Sequence, residues 1–279
     1  MINYNSVSDN VKKGQYFQGV VRFIAELKNI FFQKNYRGHR ILIAGGPLLF
    51  LSVLPCWLFF VFSDYFHLPD LKRIIFLSTI VTAIGLVDDV AGESEVKGFR
   101  GHFGHLFQGQ LTTGLLKVFL ISAAVFFILI NREYVQVLQP VLLLQDLLLF
   151  LLLINLFNLL DLRPGRTVKF FYFSLLLMVI FISGFRKFLP VILPLAVVLV
   201  PYLYFELTEK IMLGDSGAAF LGAVIGYGLL FWETTAGKTI LLFLLLILNL
   251  LAEKYSFSEV IAGNRFLSWL DGSHKRKGK

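Results

Sequence analysis

Asp88 and Asp89 stand side by side in GLVDDVAGE (85–93), where an apolar run ends. Adjacent carboxylates at a helix C-terminus sit in its partial negative charge, so they demand something positive, either a divalent cation or a cluster of Lys and Arg. A solvated pair that only ends the helix is the ordinary alternative. A second group lies in NLFNLLDLRPGR (155–166), where Asn155, Asn158 and Asp161 recur at intervals of three. At about 100° per residue they cover an arc of about 120° and look the same way. Asn both donates and accepts, which suits sugar hydroxyls, base edges or the water shell of a metal, and equally suits plain hydrogen bonding between helices. Pro164 and Gly165 break the helix and leave Arg163 and Arg166 in the loop, as forked anion binders or as simple charged anchors.

A third group is IMLGDSGAAFLG (211–222), in which Gly214, Asp215 and Ser216 open another apolar run. Free N–H groups at a helix start attract phosphate, and a carboxylate beside them can hold Mg²⁺ that bridges to phosphate oxygens. A plain helix cap uses the same residue types. Between the first two groups, KGFRGHFGHLFQGQLTTG (97–114) offers Lys97 and Arg100 as phosphate-binding cations, with His102 and His105 as metal ligands, a base or surface residues.

The elements that must position these groups are read from composition. Of 279 residues, 57% are hydrophobic and only 16% charged, with 30 Phe. Soluble domains average about 45–50% apolar and about 25% charged, so the expected fold class is all-α, a polytopic membrane bundle. A single cysteine, Cys56, excludes an internal disulfide. The net charge of +8 is read as a topology signal, and no nucleic-acid partner is expected.

A bilayer core of about 30 Å needs about 20 apolar residues, somewhat fewer where neighbours shield the ends. Eight runs qualify, at 41–62, 72–87, 114–130, 138–160, 167–183, 188–205, 216–232 and 239–252. They follow a polar N-terminus without the apolar core of a secretory signal. There FQGVVRFIAELKNIFF sets Phe17, Val20, Val21, Ile24, Leu27, Ile30 and Phe31 at helical spacing, an amphipathic helix on the membrane surface or against the bundle. Three regions result: an amphipathic cytoplasmic segment at 1–40, a transmembrane catalytic-like domain at 41–252, and a basic cytoplasmic tail at 253–279. With the N-terminus inside, 20 of the 26 Lys and Arg fall on inner segments, as the positive-inside rule requires. Both termini are then cytoplasmic in a plasma-membrane protein, and all three polar groups meet at the cytoplasmic face. Asp146, inside the fourth run beside Gln145, is left out of this gathering.

Carboxylates for Mg²⁺, cations for phosphate and amides for a polar head group, all at the inner edge of an apolar bundle, suit phosphoryl transfer between a soluble charged donor and a lipid. The same residues resemble the polyprenyl-phosphate N-acetylhexosamine-1-phosphate transferase superfamily, which includes the phospho-N-acetylmuramoyl-pentapeptide transferase. The resemblance rests on DD at Asp88–Asp89, N-x-x-N-x-x-D at Asn155, Asn158 and Asp161, and LGDSG at Leu213–Gly217. An early stretch, NYRGHRILIAGG, also fits, with Arg37, Gly38, Gly45 and Gly46. It implies a helical bundle that binds Mg²⁺, a nucleotide-sugar and a polyprenyl phosphate, moves sugar-1-phosphate to the lipid and releases a nucleoside monophosphate in envelope glycan synthesis. By that analogy Asp88 or Asp89 assists the attacking lipid phosphate, and Asp215 holds Mg²⁺. Asn155, Asn158 and Asp161 line the nucleotide-sugar site together with Gly214 and Ser216, while Arg163 and Arg166 meet phosphate. A homodimer is admitted.

The chain departs from that pattern in three places. LRPG follows Asp161 where the pattern has a second acidic residue, so Pro164 stands in its place. The C-terminal segment holds only His274 where the pattern has a His-rich loop, and the amphipathic segment replaces a first span. Two other readings stay open on sequence: a non-catalytic relative that binds polyprenyl phosphate or scaffolds envelope enzymes, and an unrelated transporter. A transporter would carry inverted repeats and broken helices at the bilayer midplane, and no repeat is visible here.

Overall fold

A computed structural model describes residues 32–34, 38, 40–43, 45–63, 69–91, 113–130, 140–255 and 257–265. The expected amphipathic helix around 17–31 and most of the basic tail lie outside the described residues, as do Lys97, Arg100, His102 and His105.

Each of the eight apolar runs falls on one helix. In chain order these are α1 (Gly45–Phe62), α2 (Pro69–Ala91), α3 (Thr113–Ile130), α4 (Pro140–Leu160), α5 (Arg166–Phe181), α6 (Leu189–Leu207), α7 (Gly214–Leu229) and α8 (Thr235–Lys254). A 3₁₀ turn, Ser183–Phe188, leads directly into α6, and a short helix α9 (Phe257–Gly263) follows α8. Among the described residues, four segments are long and apolar enough to cross a bilayer: Gly45–Phe62, Pro140–Leu160, Ser183–Leu207 and Thr235–Ala252. This makes the chain a helical membrane protein, with four such spans where eight were expected. The apolar part of α3, Leu116–Ile130, is shorter, and the other three fall short for identifiable reasons. Helix α2 carries Asp70, Lys72 and Arg73 at one end and Asp88 and Asp89 at the other, while α5 and α7 have 16 residues each. Sixteen residues rise only about 24 Å.

Helix α7 is the axis of the bundle, buried without interruption from Ser216 to Leu229. Its sequence, GDSGAAFLGAVIGYGL, explains this placement. Small residues let neighbouring backbones come close, the usual basis of packing between apolar helices that gain nothing from leaving lipid. Helices α1, α2, α4 and α5 pack around it. The Gly222 Cα abuts Ile154 of α4, and Ser216 lies against Gly85 of α2. Larger rings fill the remaining space, with Phe220 edge-on to Phe50 and Trp57 of α1 at 5.7 and 6.1 Å between centroids.

The first apolar run begins later than its hydropathy suggests. Residues Arg40–Leu42 form a strand, β2, paired antiparallel with β1 (Phe32–Lys34) in the register Phe32 opposite Leu42. Leu42 also bridges in parallel to Ile211, and its carbonyl accepts the Met212 N–H at 2.8 Å. Gly46 N–H then donates to the Leu213 carbonyl at 3.0 Å. The start of α1 is thereby laid beside the start of α7. A Cβ on Gly46 would collide with the Gly217 backbone and the Ser216 hydroxyl, so glycine is required for this approach.

Candidate active site

The end of α2 meets the start of α7. Gly214 takes φ +70°, a left-handed turn that glycine adopts at little cost, and so sets the direction in which α7 leaves. The first N–H groups of that helix point at Asp89: Oδ1 accepts the Asp215 N–H at 2.7 Å and Oδ2 the Ser216 N–H at 3.1 Å. The anion-binding helix start anticipated at Gly214–Ser216 therefore already holds a carboxylate, supplied by the chain itself. Burial pushes Asp89 up to about 6, which leaves it ionised at neutral pH and able to accept both bonds.

Next to this cap, Lys117 from the first turns of α3 reaches between two carboxylates. Its Nζ lies 2.8 Å from Asp88 Oδ2 and 2.5 Å from Asp215 Oδ2. The demand for positive charge beside Asp88 and Asp89 is thus met by an ammonium carried on a third helix. Burial raises Asp88 above the ordinary carboxylate range despite that ammonium. Partial burial works the same way on Asp215, but there Lys117 more than offsets it and holds the carboxyl below its usual value. Asp215 keeps 46% of its side chain exposed, so it is the member of the group that faces outward.

The α4–α5 turn supplies the neighbouring wall. Asp161 is buried and accepts a hydrogen bond from Thr167 Oγ1 at 3.2 Å, across the turn that Gly165 makes at φ +79°. Burial, then the charge of Glu206 on α6, and then those of Asp215 and Asp89, push Asp161 well above its ordinary value. Asp161 thus interacts electrostatically with both carboxylates at the α2–α7 junction. Four chain-distant segments bring Asp88, Asp89, Lys117, Asp161 and Asp215 to one end of the bundle.

The family model for glycosyl transferase family 4 matches residues 71–233, more than half of the 279. The chain belongs to this family. No curated protein and no solved structure matches it. The matched region contains every helix contributing to the junction, and stops before α8.

Within this glycosyl transferase family 4 fold, not all the sequence-flagged residues go to the junction. Asn155 Nδ2 donates to Asn249 Oδ1 of α8 at 2.6 Å, which ties two helices together. Asn158 turns inward, and its buried Oδ1 has no hydrogen-bond partner. Arg166 is buried in the first turn of α5 and bonds the Ser258 hydroxyl of α9 at 3.3 Å, whereas Arg163 is half-buried in the turn. Asp146 pairs with Lys238 at 2.8 Å, remote from the junction. Three residues of the site were not singled out from sequence: Lys117, Thr167 and Glu206. The legible signal for Lys117 was a lone ammonium inside an apolar run, because such charges are costly at membrane depth and mark paired or functional positions.

Family 4 transferases generally require a divalent cation. Among the described residues, no three His, Cys, Asp or Glu side chains lie close enough to form a metal cage. Mg²⁺ seldom uses one; it takes one or two carboxylates and fills its octahedron with water and substrate phosphate. Asp88 and Asp215, already gripping one cationic group from separate helices, are a donor pair of that kind.

Proposed function

We propose that the chain transfers sugar-1-phosphate from a nucleotide-sugar to a membrane polyprenyl phosphate and releases a nucleoside monophosphate. An oxygen of the lipid phosphate bonds to the sugar-linked phosphorus of the donor. The P–O bond joining that phosphorus to the nucleoside phosphate breaks, and its electron pair leaves with the nucleoside monophosphate. Such transfers need little covalent help from protein; they need positioning and neutralised charge. The observation that carries the reading is the meeting of Asp88 and Asp215 on Lys117, beside the helix start that Asp89 caps, in a family 4 chain with lipid-length apolar helices.

Asp215, exposed and kept ionised by Lys117, holds Mg²⁺ together with Asp88, and the bound ion supplies charge neutralisation for the diphosphate. Lys117 orients the two carboxylates and adds positive charge where phosphate oxygens gather. Asp89 fixes the start of α7 and so the position of Asp215. Asn158 and Asp161 contact the nucleotide-sugar, and Arg163 with Lys97 and Arg100 attracts phosphate from the adjoining loops. The inner-segment excess of Lys and Arg supports an orientation with this end in the cytoplasm.

The test is purified protein in detergent with Mg²⁺, undecaprenyl phosphate and a panel of nucleotide-sugars, reading released nucleoside monophosphate. Release that requires both lipid and Mg²⁺ is the expected result. Lipid binding with no release from any donor would overturn the catalytic reading and favour a non-catalytic relative.

A further inference from the structure

Lys117 is the inward residue of the first turns of α3, 9% exposed, while Leu116, Val118 and Phe119 beside it face outward. An ammonium has three protons to donate. Among the described residues it has two partners, and both are carboxylates, Asp88 Oδ2 at 2.8 Å and Asp215 Oδ2 at 2.5 Å. No carbonyl or hydroxyl of the described residues holds it in place. Asp88 and Asp215 also lie within hydrogen-bonding reach of each other, so three charged groups close on one small space. Asp89 stands apart, its oxygens accepting the Asp215 and Ser216 N–H groups.

Two carboxylates from separate helices around one cation are also the donors given to Mg²⁺ above. The pair cannot serve both cations well. Together they carry two negative charges, whereas an ammonium and a divalent ion bring three positive ones. Held by the same carboxylates, the two cations would repel at close range, where partly buried charges are screened little by salt. The side chains differ in how they can answer this. Asp88 and Asp215 are fixed by the helix ends that carry them, but Lys117 is a compact charge on a flexible four-carbon stem. Asp215 keeps 46% of its side chain exposed, which gives an ion a way in.

We infer that Lys117 is an exchangeable counter-ion, which neutralises Asp88 and Asp215 until a divalent cation takes the pair and displaces the ammonium. This rests on the Mg²⁺ role given to these acids above and adds how entry of the ion is controlled. A free ion must compete with an ammonium already in place, so the site resists casual metal binding. With the ion bound, the two acids and two cations leave one positive charge in excess, which an anionic substrate balances. Metal and substrate phosphate therefore favour each other's binding, and the coupling is reciprocal.

The test is Mn²⁺ binding to the full chain in detergent, with neither lipid nor nucleotide, read from the EPR signal of free Mn²⁺. Exchange predicts that Lys117→Met binds Mn²⁺ about tenfold tighter or more than wild type, because a competing charge beside both acids is gone. Lys117→Arg keeps that charge and stays at or below wild-type affinity. Adding Asp215→Asn to Lys117→Met abolishes the gain, which locates it at this pair. Should Lys117→Met not fold, the wild type decides through acetylation of Lys117 by acetic anhydride, read by mass spectrometry. Exchange predicts a severalfold faster reaction when Mg²⁺ is added, and no such change in Asp215→Asn. Unchanged or weaker Mn²⁺ binding in folded Lys117→Met, or acetylation indifferent to Mg²⁺, overturns the exchange while the transferase reading stands. Exchange in a chain that releases no nucleoside monophosphate from any donor upholds this inference and overturns that reading. No Mn²⁺ binding by wild type or Lys117→Met overturns both the exchange and the metal role of the pair.

Discussion

At the residue scale, each polar side chain at the junction has a distinct assignment that substitution can separate. Lys117 bridges Asp88 and Asp215, so Lys117→Met leaves two like charges facing each other without compensation. Removing one partner of a buried ionic group is strongly destabilising, about 3–5 kcal/mol when fully buried and less here because Asp215 is half-exposed. A lowered melting temperature in detergent, together with lost turnover, is the expected outcome; unchanged stability would show that the carboxylates find another cation. Asp89 acts through the backbone. Asp89→Ala frees the Asp215 and Ser216 N–H groups and should cost about 1–2 kcal/mol, as the loss of a helix cap does, measured by thermal unfolding. Sequence exposed these residues unevenly. Asp88, Asp89, Asp161 and Asp215 stood out because carboxylates at the edges of apolar runs are conspicuous. Glu206 and Lys117 are also charged but have no motif around them, and only the packing of α3 and α6 against the others brings them to the same end of the bundle.

At the element scale, the eight helical runs were legible because period and hydropathy act locally. The strand at Arg40–Leu42 was not, because RILI reads as apolar span and its pairing with Phe32–Lys34 and Ile211 is a long-range event. Close approach of α1 to α7 depends on Gly46. Gly46→Ala should cost about 1–3 kcal/mol by overpacking against Gly217, with a lowered melting temperature as readout. The pairing of α4 with α8 rests on polar contacts, Asn155 with Asn249 and Gln145 with Thr239. Hydrogen bonds between membrane helices average about 0.6 kcal/mol, so Asn249→Ala should be mildly destabilising. It also isolates what Asn155 does. Equal, small effects of Asn155→Ala and Asn249→Ala on turnover are expected if the pair is structural; a much larger loss in Asn155→Ala would return that residue to the substrate site.

At the scale of the whole molecule, a central helix of small residues gathers the ends of its neighbours, and polar groups gather where those ends meet. The order of charges along the chain let this be anticipated from sequence, since Lys and Arg bias placed the three polar groups on one side before any contact was known. What sequence could not supply was the content of the gap between them, an ammonium from α3, because no periodicity links Lys117 to Asp215 across 98 residues. The most direct test of the central claim compares nucleoside monophosphate release by wild type, Asp215→Asn and Asn249→Ala, each with Mg²⁺, undecaprenyl phosphate and UDP-N-acetylglucosamine. Convergence on a catalytic centre predicts that Asp215→Asn loses about a hundredfold to a thousandfold, the scale of losing a transition-state charge partner, while Asn249→Ala stays near wild type. Turnover by Asp215→Asn within a few-fold of wild type would contradict it.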